Sequence, residues 1–145
     1  MTTVLFLCTA NYYRSRLAEE IFNHMARKEN LDAQAISAGI QADQWRSYNP
    51  GPISRYTLEA LERFGIPRPL QPKDPDSFTP AIFEKADRII ALSRGEHKPM
   101  IETDFPSILD LIEFWDVEDL HLTEALPATD AIRVQVLNLL KDYRK

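Results

Sequence analysis

Four consecutive apolar residues, Val4-Leu5-Phe6-Leu7, run straight into Cys8, and helical spacing begins only a few residues later. An apolar run with no polar alternation is the pattern of a strand covered on both faces. Beyond it, Leu17, Ile21, Phe22, Met25 and Ala26 recur at intervals of three and four, which predicts a helix from near Ser15 with one buried stripe. A strand, a tight loop and a helix in that order is the opening of a parallel sheet layered by helices. The loop, Thr9 to Tyr13, lies between a strand end and a helix N-terminus. Backbone N–H groups gathered there, with the helix dipole behind them, favour a bound anion.

Cys8 is the only cysteine in the chain, and Arg14 follows six residues later with Ser15 beside it. A thiol at a helix N-terminus near an arginine ionises more readily than a free cysteine, and the thiolate is the nucleophile. Arg14 adds a planar fork of donors able to hold two phosphoryl oxygens. Ser15 offers a hydroxyl to the sulfur or to a departing phosphate. Asn11 is suited to tie the turn together through side-chain to backbone bonds in a left-handed conformation. Thr9, Ala10, Asn11, Tyr12, Tyr13, Arg14 and Ser15 are therefore the expected phosphate-binding residues.

The rest of the chain continues the alternation. Ala33 to Ser37 is a second strand closed by Gly39. Asn49-Pro50-Gly51-Pro52 is a turn that launches a helix marked by Tyr56, Leu58, Leu61 and Phe64 and stopped at Gly65. Pro67 to Thr79 is the longest irregular stretch. Ala86 to Leu92 is a third strand and Ser107 to Leu111 a short fourth. A final helix from about Thr123 to Tyr143 places Ala131, Val134, Leu137 and Leu140 on one face. The expectation is an α/β fold: a small four-stranded parallel sheet with helices on both faces, its phosphate-binding loop after the first strand, in one domain spanning 1–145. Ligands of such sheets bind at the carboxyl ends of the strands, which is where Cys8 falls.

Expelling an oxyanion needs a proton. Asp116-Val117-Glu118-Asp119 follows the fourth strand and holds the candidates, with Asp116 next to the aromatic pair Phe114-Trp115. Tyr12, Tyr13 and Trp45 are the expected walls of a substrate cleft, with the competing reading that one tyrosine packs inward and the other is simply exposed. Arg16, in the first helical turn, reads as solvent-facing, with the competing reading that it adds positive field at the pocket rim; a cation there opposes the helix dipole, which hints at a bound anion or carboxylate partner. His24, His97 and His121 are scattered without metal-ligand spacing and read as surface residues, so no metal and no cofactor is expected. A net charge of −5 argues against unaided binding to nucleic acid or an acidic membrane. No apolar run approaches a membrane span and no signal-peptide pattern opens the sequence. With a single cysteine and therefore no internal disulfide, a cytoplasmic location is the simplest expectation.

The stretch Leu5-Phe6-Leu7-Cys8-Thr9-Ala10-Asn11-Tyr12-Tyr13-Arg14-Ser15 resembles the signature of the low-molecular-weight protein tyrosine phosphatases. Ile36-Ser37-Ala38-Gly39 resembles the family's Ser-Ala-Gly segment, Asp87-Arg88-Ile89-Ile90-Ala91-Leu92 its third strand, and Trp115-Asp116-Val117-Glu118-Asp119 the late segment with its general acid. The resemblance implies a metal-independent phosphomonoesterase that forms a phosphocysteine on Cys8, binds phosphate through Arg14 and uses Asp119 as acid and base, on a phosphorylated protein or small aryl phosphate. Leu120 replaces the proline that usually follows that acid. Ala10 replaces a glycine, which implies strain if its φ is positive. Tyr13 replaces a second cysteine, removing a protective disulfide, and Arg16 replaces a proline. Tyr12 takes the place of a smaller aliphatic residue at the substrate mouth, which speaks against phosphoarginine. Leu70 stands near the place of a histidine that supports the loop in some members. Two alternatives share the fold. An arsenate reductase would need an external thiol, since Cys8 alone cannot relay the oxidation, and a non-catalytic phospho-ligand binding module would need neither nucleophile nor acid.

Overall fold

A computed structural model describes residues 1–119 and 124–144. Its centre is a four-stranded parallel sheet of order β2-β1-β3-β4, built from β1 (Thr2–Cys8), β2 (Ala33–Gly39), β3 (Arg88–Ala91) and β4 (Ile112–Phe114). The chain leaves β1 to one side for β2 and returns to the other side for β3, so the carboxyl end of β1 is a topological switch point. Cys8 is the last residue of β1 and pairs with Gly39, the last of β2.

The alternation within β1 assigns each apolar residue to a layer. Val4 and Phe6 face a core shared with α1 (Arg14–Lys28), α3 (Arg55–Arg63) and α6 (Ala125–Leu140), whereas Leu5 and Leu7 face a second core with Ile82 and Phe83 of α4 (Pro80–Lys85) and Ile101 of α5 (Arg94–Asp104). All four side chains are fully buried, each stabilising the fold by about 1.5–3 kcal/mol of transfer free energy. A short α2 (Ala42–Trp45) and a 3-10 turn at Arg46–Tyr48 follow β2. Ser54, Thr79 and Ser93 cap α3, α4 and α5 by accepting from backbone N–H groups, as short hydroxyl residues do at helix starts. Gly65, with φ of +71°, ends the α3 region at the expected stop.

Several expected boundaries differ. Ser107 to Leu111 lies in a 3-10 segment, Pro106–Leu111, because Pro106 favours a helical first turn, and the fourth strand begins only at Ile112. The final helix buries Ala128, Ile132, Val136, Leu139 and Leu140, while Ala131 and Val134 of the expected stripe face solvent. Thr123, its expected start, and His121 lie outside the described residues. Three helices, α2, α4 and α5, are not expected from the sequence, α2 having only four residues. α4 has six residues, and α5 carries Gly95 and Pro99, both poor helix formers. Among the described residues no helix is long and apolar enough to cross a membrane.

Candidate active site

The loop from Thr9 to Tyr13 joins β1 to α1, whose N-cap, Tyr13, gives no side-chain cap. Its turn is made at Asn11, with φ of +53°, and not at Ala10, so the alanine carries no left-handed strain. Asparagine tolerates that conformation, and here its side chain is saturated. Asn11 Nδ2 donates to Ser15 Oγ and Ser37 Oγ at 2.9 Å each, and Oδ1 accepts from the Asp76 backbone N–H at 2.9 Å. Ser37 in turn donates to Glu19. The Ser15 hydroxyl lies 2.9 Å from Cys8 Sγ and is the donor of that bond when the sulfur is a thiolate. Asn11 and Ser15 are fully buried behind the loop. Gly39 backs the same loop: a Cβ there would lie 2.8 Å from the Thr9 carbonyl oxygen, closer than real contacts allow.

Arg14 enters from the first turn of α1 and is 2% exposed. One terminal nitrogen donates to the Val117 carbonyl at 3.1 Å, and the other donates to Glu96 Oε2 at 2.5 Å and lies 3.6 Å from Asp119 Oδ2. Burial alone would loosen the guanidinium proton, but Cys8, Glu96 and Asp119 hold its pKa above the usual arginine value. Backbone bonds from Trp115 to Ala91 and from Val117 to Leu92 fasten the segment that delivers Val117 and Asp119. Asp116, the competing acid, is exposed, bridges to Ser93, and does not line the cleft.

Glu96 and His97 belong to this site although sequence reading assigned them no role there. Ser93-Arg94-Gly95-Glu96 has capping-box spacing, the one signal that pointed to them. Only half of the box forms. Ser93 Oγ accepts from the Glu96 N–H at 3.3 Å, but the Ser93 N–H donates to His97 Nδ1 at 3.0 Å, where a box would use the glutamate. The displaced carboxylate turns to the loop, where Oε2 also accepts from Thr9 Oγ1 and from His97 Nε2, the latter at 2.9 Å. Because Nδ1 accepts, the imidazole proton sits on Nε2. His97 is fully buried rather than at the surface, and burial pulls its pKa down, so the neutral ring persists. Burial would raise the Glu96 pKa, yet the His97 bond, the Arg14 charge and the Thr9 bond together hold it well below the ordinary range.

Cys8, Thr9, Ala10, Arg14, Glu96 and Asp119 line a cleft of about 940 Å³. Tyr12, Tyr13, Trp45 and Tyr56 form its aromatic walls. Tyr13 is 6% exposed, packs edge-on to Tyr56, and its phenol is pushed up to about 12, chiefly by burial. Tyr12 is half-buried and donates to the Pro50 carbonyl; Trp45 is 44% exposed and stacks edge-on with Tyr48. The cleft therefore joins a nucleophile, a buried cation, the Glu96 and Asp119 carboxylates and aromatic walls. Among the described residues no cluster of His, Cys, Asp and Glu is gathered around a metal position.

Residues 3–137 match the family model of the low molecular weight phosphotyrosine protein phosphatases. The chain belongs to that family. It is 34% identical over 127 residues to the low molecular weight protein-tyrosine-phosphatase YfkJ of Bacillus subtilis, covering 82% of this chain and 78% of the relative. It is 27% identical over 109 residues to the protein-arginine-phosphatase of the same organism, covering 75% of this chain and 67% of that one. The crystal structure of YfkJ superposes with a TM-score of 0.81 over 98% of this chain and 94% of the other, at 26% identity. The low molecular weight protein tyrosine phosphatase from T. tengcongensis gives 0.80 over 98% and 99%, at 25%. The overall fold found here is thus shared with solved members of the family.

Proposed function

We propose that the protein hydrolyses phosphomonoesters of protein tyrosine by two displacements at phosphorus. The observation that carries this reading is the convergence of Cys8, Arg14 and Asp119 in one aromatic-walled cleft. Cys8 attacks phosphorus in line as the thiolate, forming a sulfur–phosphorus bond as the phosphorus–oxygen bond to the leaving group breaks. Arg14 and the loop N–H groups hold the equatorial oxygens, and the Asp119 carboxyl gives its proton to the departing phenolate. In the second displacement Asp119, now a carboxylate, takes a proton from water as that water attacks the phosphocysteine. Inorganic phosphate leaves and the thiolate is restored. The guanidinium and amides supply the positive charge that this transition state needs. Tyr12, Tyr13 and Trp45 suit an aromatic leaving group on a phosphorylated protein or a small aryl phosphate.

The test is hydrolysis of a small aryl phosphate by wild type, Cys8→Ser and Asp119→Asn. Wild type should turn over, Cys8→Ser should be inactive, and Asp119→Asn should lose about 10²–10⁴-fold, most on substrates with poor leaving groups. Inert wild type or an active Cys8→Ser would sink the mechanism, and the Asp119 behaviour appearing in Asp116→Asn would move the acid. Peptides bearing phosphotyrosine, phosphoserine and phosphoarginine then separate the substrate classes, with preference for phosphoarginine counting against the tyrosine reading.

A further inference from the structure

Arg16 was expected at the surface and is instead among the largest fully buried side chains, 1% exposed. Its position in the first turn of α1 is unfavourable for a cation, so its retention there calls for a compensating set of partners. Those partners are backbone carbonyls from three separate segments. One terminal nitrogen donates to Asn11 O at 3.3 Å and Pro52 O at 2.9 Å, and the other to Lys73 O at 2.7 Å. Asn11 is the left-handed residue of the phosphate loop. Pro52 closes the turn that includes Asn49 and Pro50 of the cleft wall. Lys73 lies in the irregular stretch that also sends the Asp76 N–H to the Asn11 side chain.

We propose that Arg16 is the positioning residue of the phosphate loop, fixing the Asn11 carbonyl and locking the loop to the cleft wall at one point. The peptide plane makes this more than packing. In a trans peptide the C=O of one residue and the N–H of the next point in opposite directions. A cation that holds the Asn11 carbonyl therefore turns the Tyr12 N–H away from itself, leaving that amide for an anion. The same guanidinium fastens the wall, which is also tied to the loop by the Tyr12 hydroxyl on Pro50, the Ser54 N–H on the Tyr12 carbonyl and the Thr57 hydroxyl on the Tyr13 carbonyl. A lysine, with one nitrogen, cannot reproduce a fork that spans three carbonyls.

This inference rests on the phosphatase reading, and the experiment separates the two. Wild type, Arg16→Met and Arg16→Lys are compared for inorganic phosphate affinity by calorimetry, for kcat and KM on an aryl phosphate, and for thermal midpoint. Arg16→Met should lose about 100-fold in kcat/KM, the scale of a displaced reactive geometry, with weakened phosphate binding. Arg16→Lys should recover only part, and ethylguanidinium added to Arg16→Ala should restore phosphate binding. If Arg16→Met is folded, less stable, and within about twofold of wild type in phosphate affinity and kcat/KM, Arg16 is structural only and the proposal is wrong. Should Arg16→Met fail to fold, wild-type phosphate affinity in Arg16→Lys overturns it equally. Wild type that binds phosphate without hydrolysing it breaks the phosphatase reading while leaving the Arg16 comparison intact, and wild type that binds no phosphate overturns both.

Discussion

Two arginines, two residues apart in the first turn of α1, secure opposite flanks of the phosphate loop by different means. Arg14 is met by groups that titrate: Glu96, Asp119 and, through Glu96, the imidazole of His97. Arg16 is met by carbonyls of the backbone, which do not titrate. The Arg14 flank is thus bonded directly to ionised groups as well as to the Val117 carbonyl, whereas the direct bonds of Arg16 go to backbone segments and the Glu19, Glu20 and Asp76 carboxylates act on it through their charge. The difference separates chemistry from architecture within a loop of five residues.

The strongest way to break this contrast is Glu96→Ala. It leaves Arg14 without its shortest partner and His97 with only the Thr9 hydroxyl, 3.2 Å away, and loss of one member of a buried pair costs about 3 kcal/mol. Urea unfolding of the variant should show that loss, and a change below about 1 kcal/mol would mean that Glu96 is not the anchor of its flank. A smaller effect is expected in the pH dependence of wild type. The folded pKa of His97 lies below its ordinary 6.5, so the unfolded chain binds that proton first. Stability is then full above 6.5 and falls as the pH drops below it. Glu96 has the opposite chemistry and the same direction: its folded pKa is depressed, so its contribution is present above the ordinary 4.5 and fades as the pH falls toward the folded value. Unfolding free energies at pH 7.5 and 5.5 should thus differ in wild type and differ less in His97→Gln. An equal slope in the two proteins would remove His97 from the account. The smallest effect belongs to the other flank, where Tyr12→Phe loses one bond to Pro50 and should cost about 0.5–1.5 kcal/mol at both pH values.

The sequence made the sheet legible because β1 is apolar on both faces and turns into a helix within a few residues. It made the placement of Cys8, Asn11, Arg14 and Ser15 around one loop legible because they sit within eight residues, between an apolar strand and the start of helical spacing. Glu96 and His97 were illegible for the complementary reason. Their helix carries Gly95 and Pro99, which hide its period, and their partners lie more than eighty residues away. Arg16 was misread because solvent exposure is the usual state of a cation in a first helical turn, and nothing in the sequence announces three carbonyls converging on it. The stripe of α6 was displaced by a similar ambiguity, since Ile132 and Val136 offer a second apolar face next to the one chosen.

The long reach of these contacts also bears on how the protein is made. Thr9 meets Glu96 across 87 positions, Arg14 meets Val117 across 103, and Arg16 meets Lys73 across 57. Contacts so distant in sequence form after local helices, because closing long loops is slow. A nascent chain therefore carries its nucleophile well before Glu96, Val117 and Asp119 are made, and the anion site lacks one wall until they are. Oxyanions that bind only the finished site would act as ligands for folding, drawing the population toward the completed molecule by mass action.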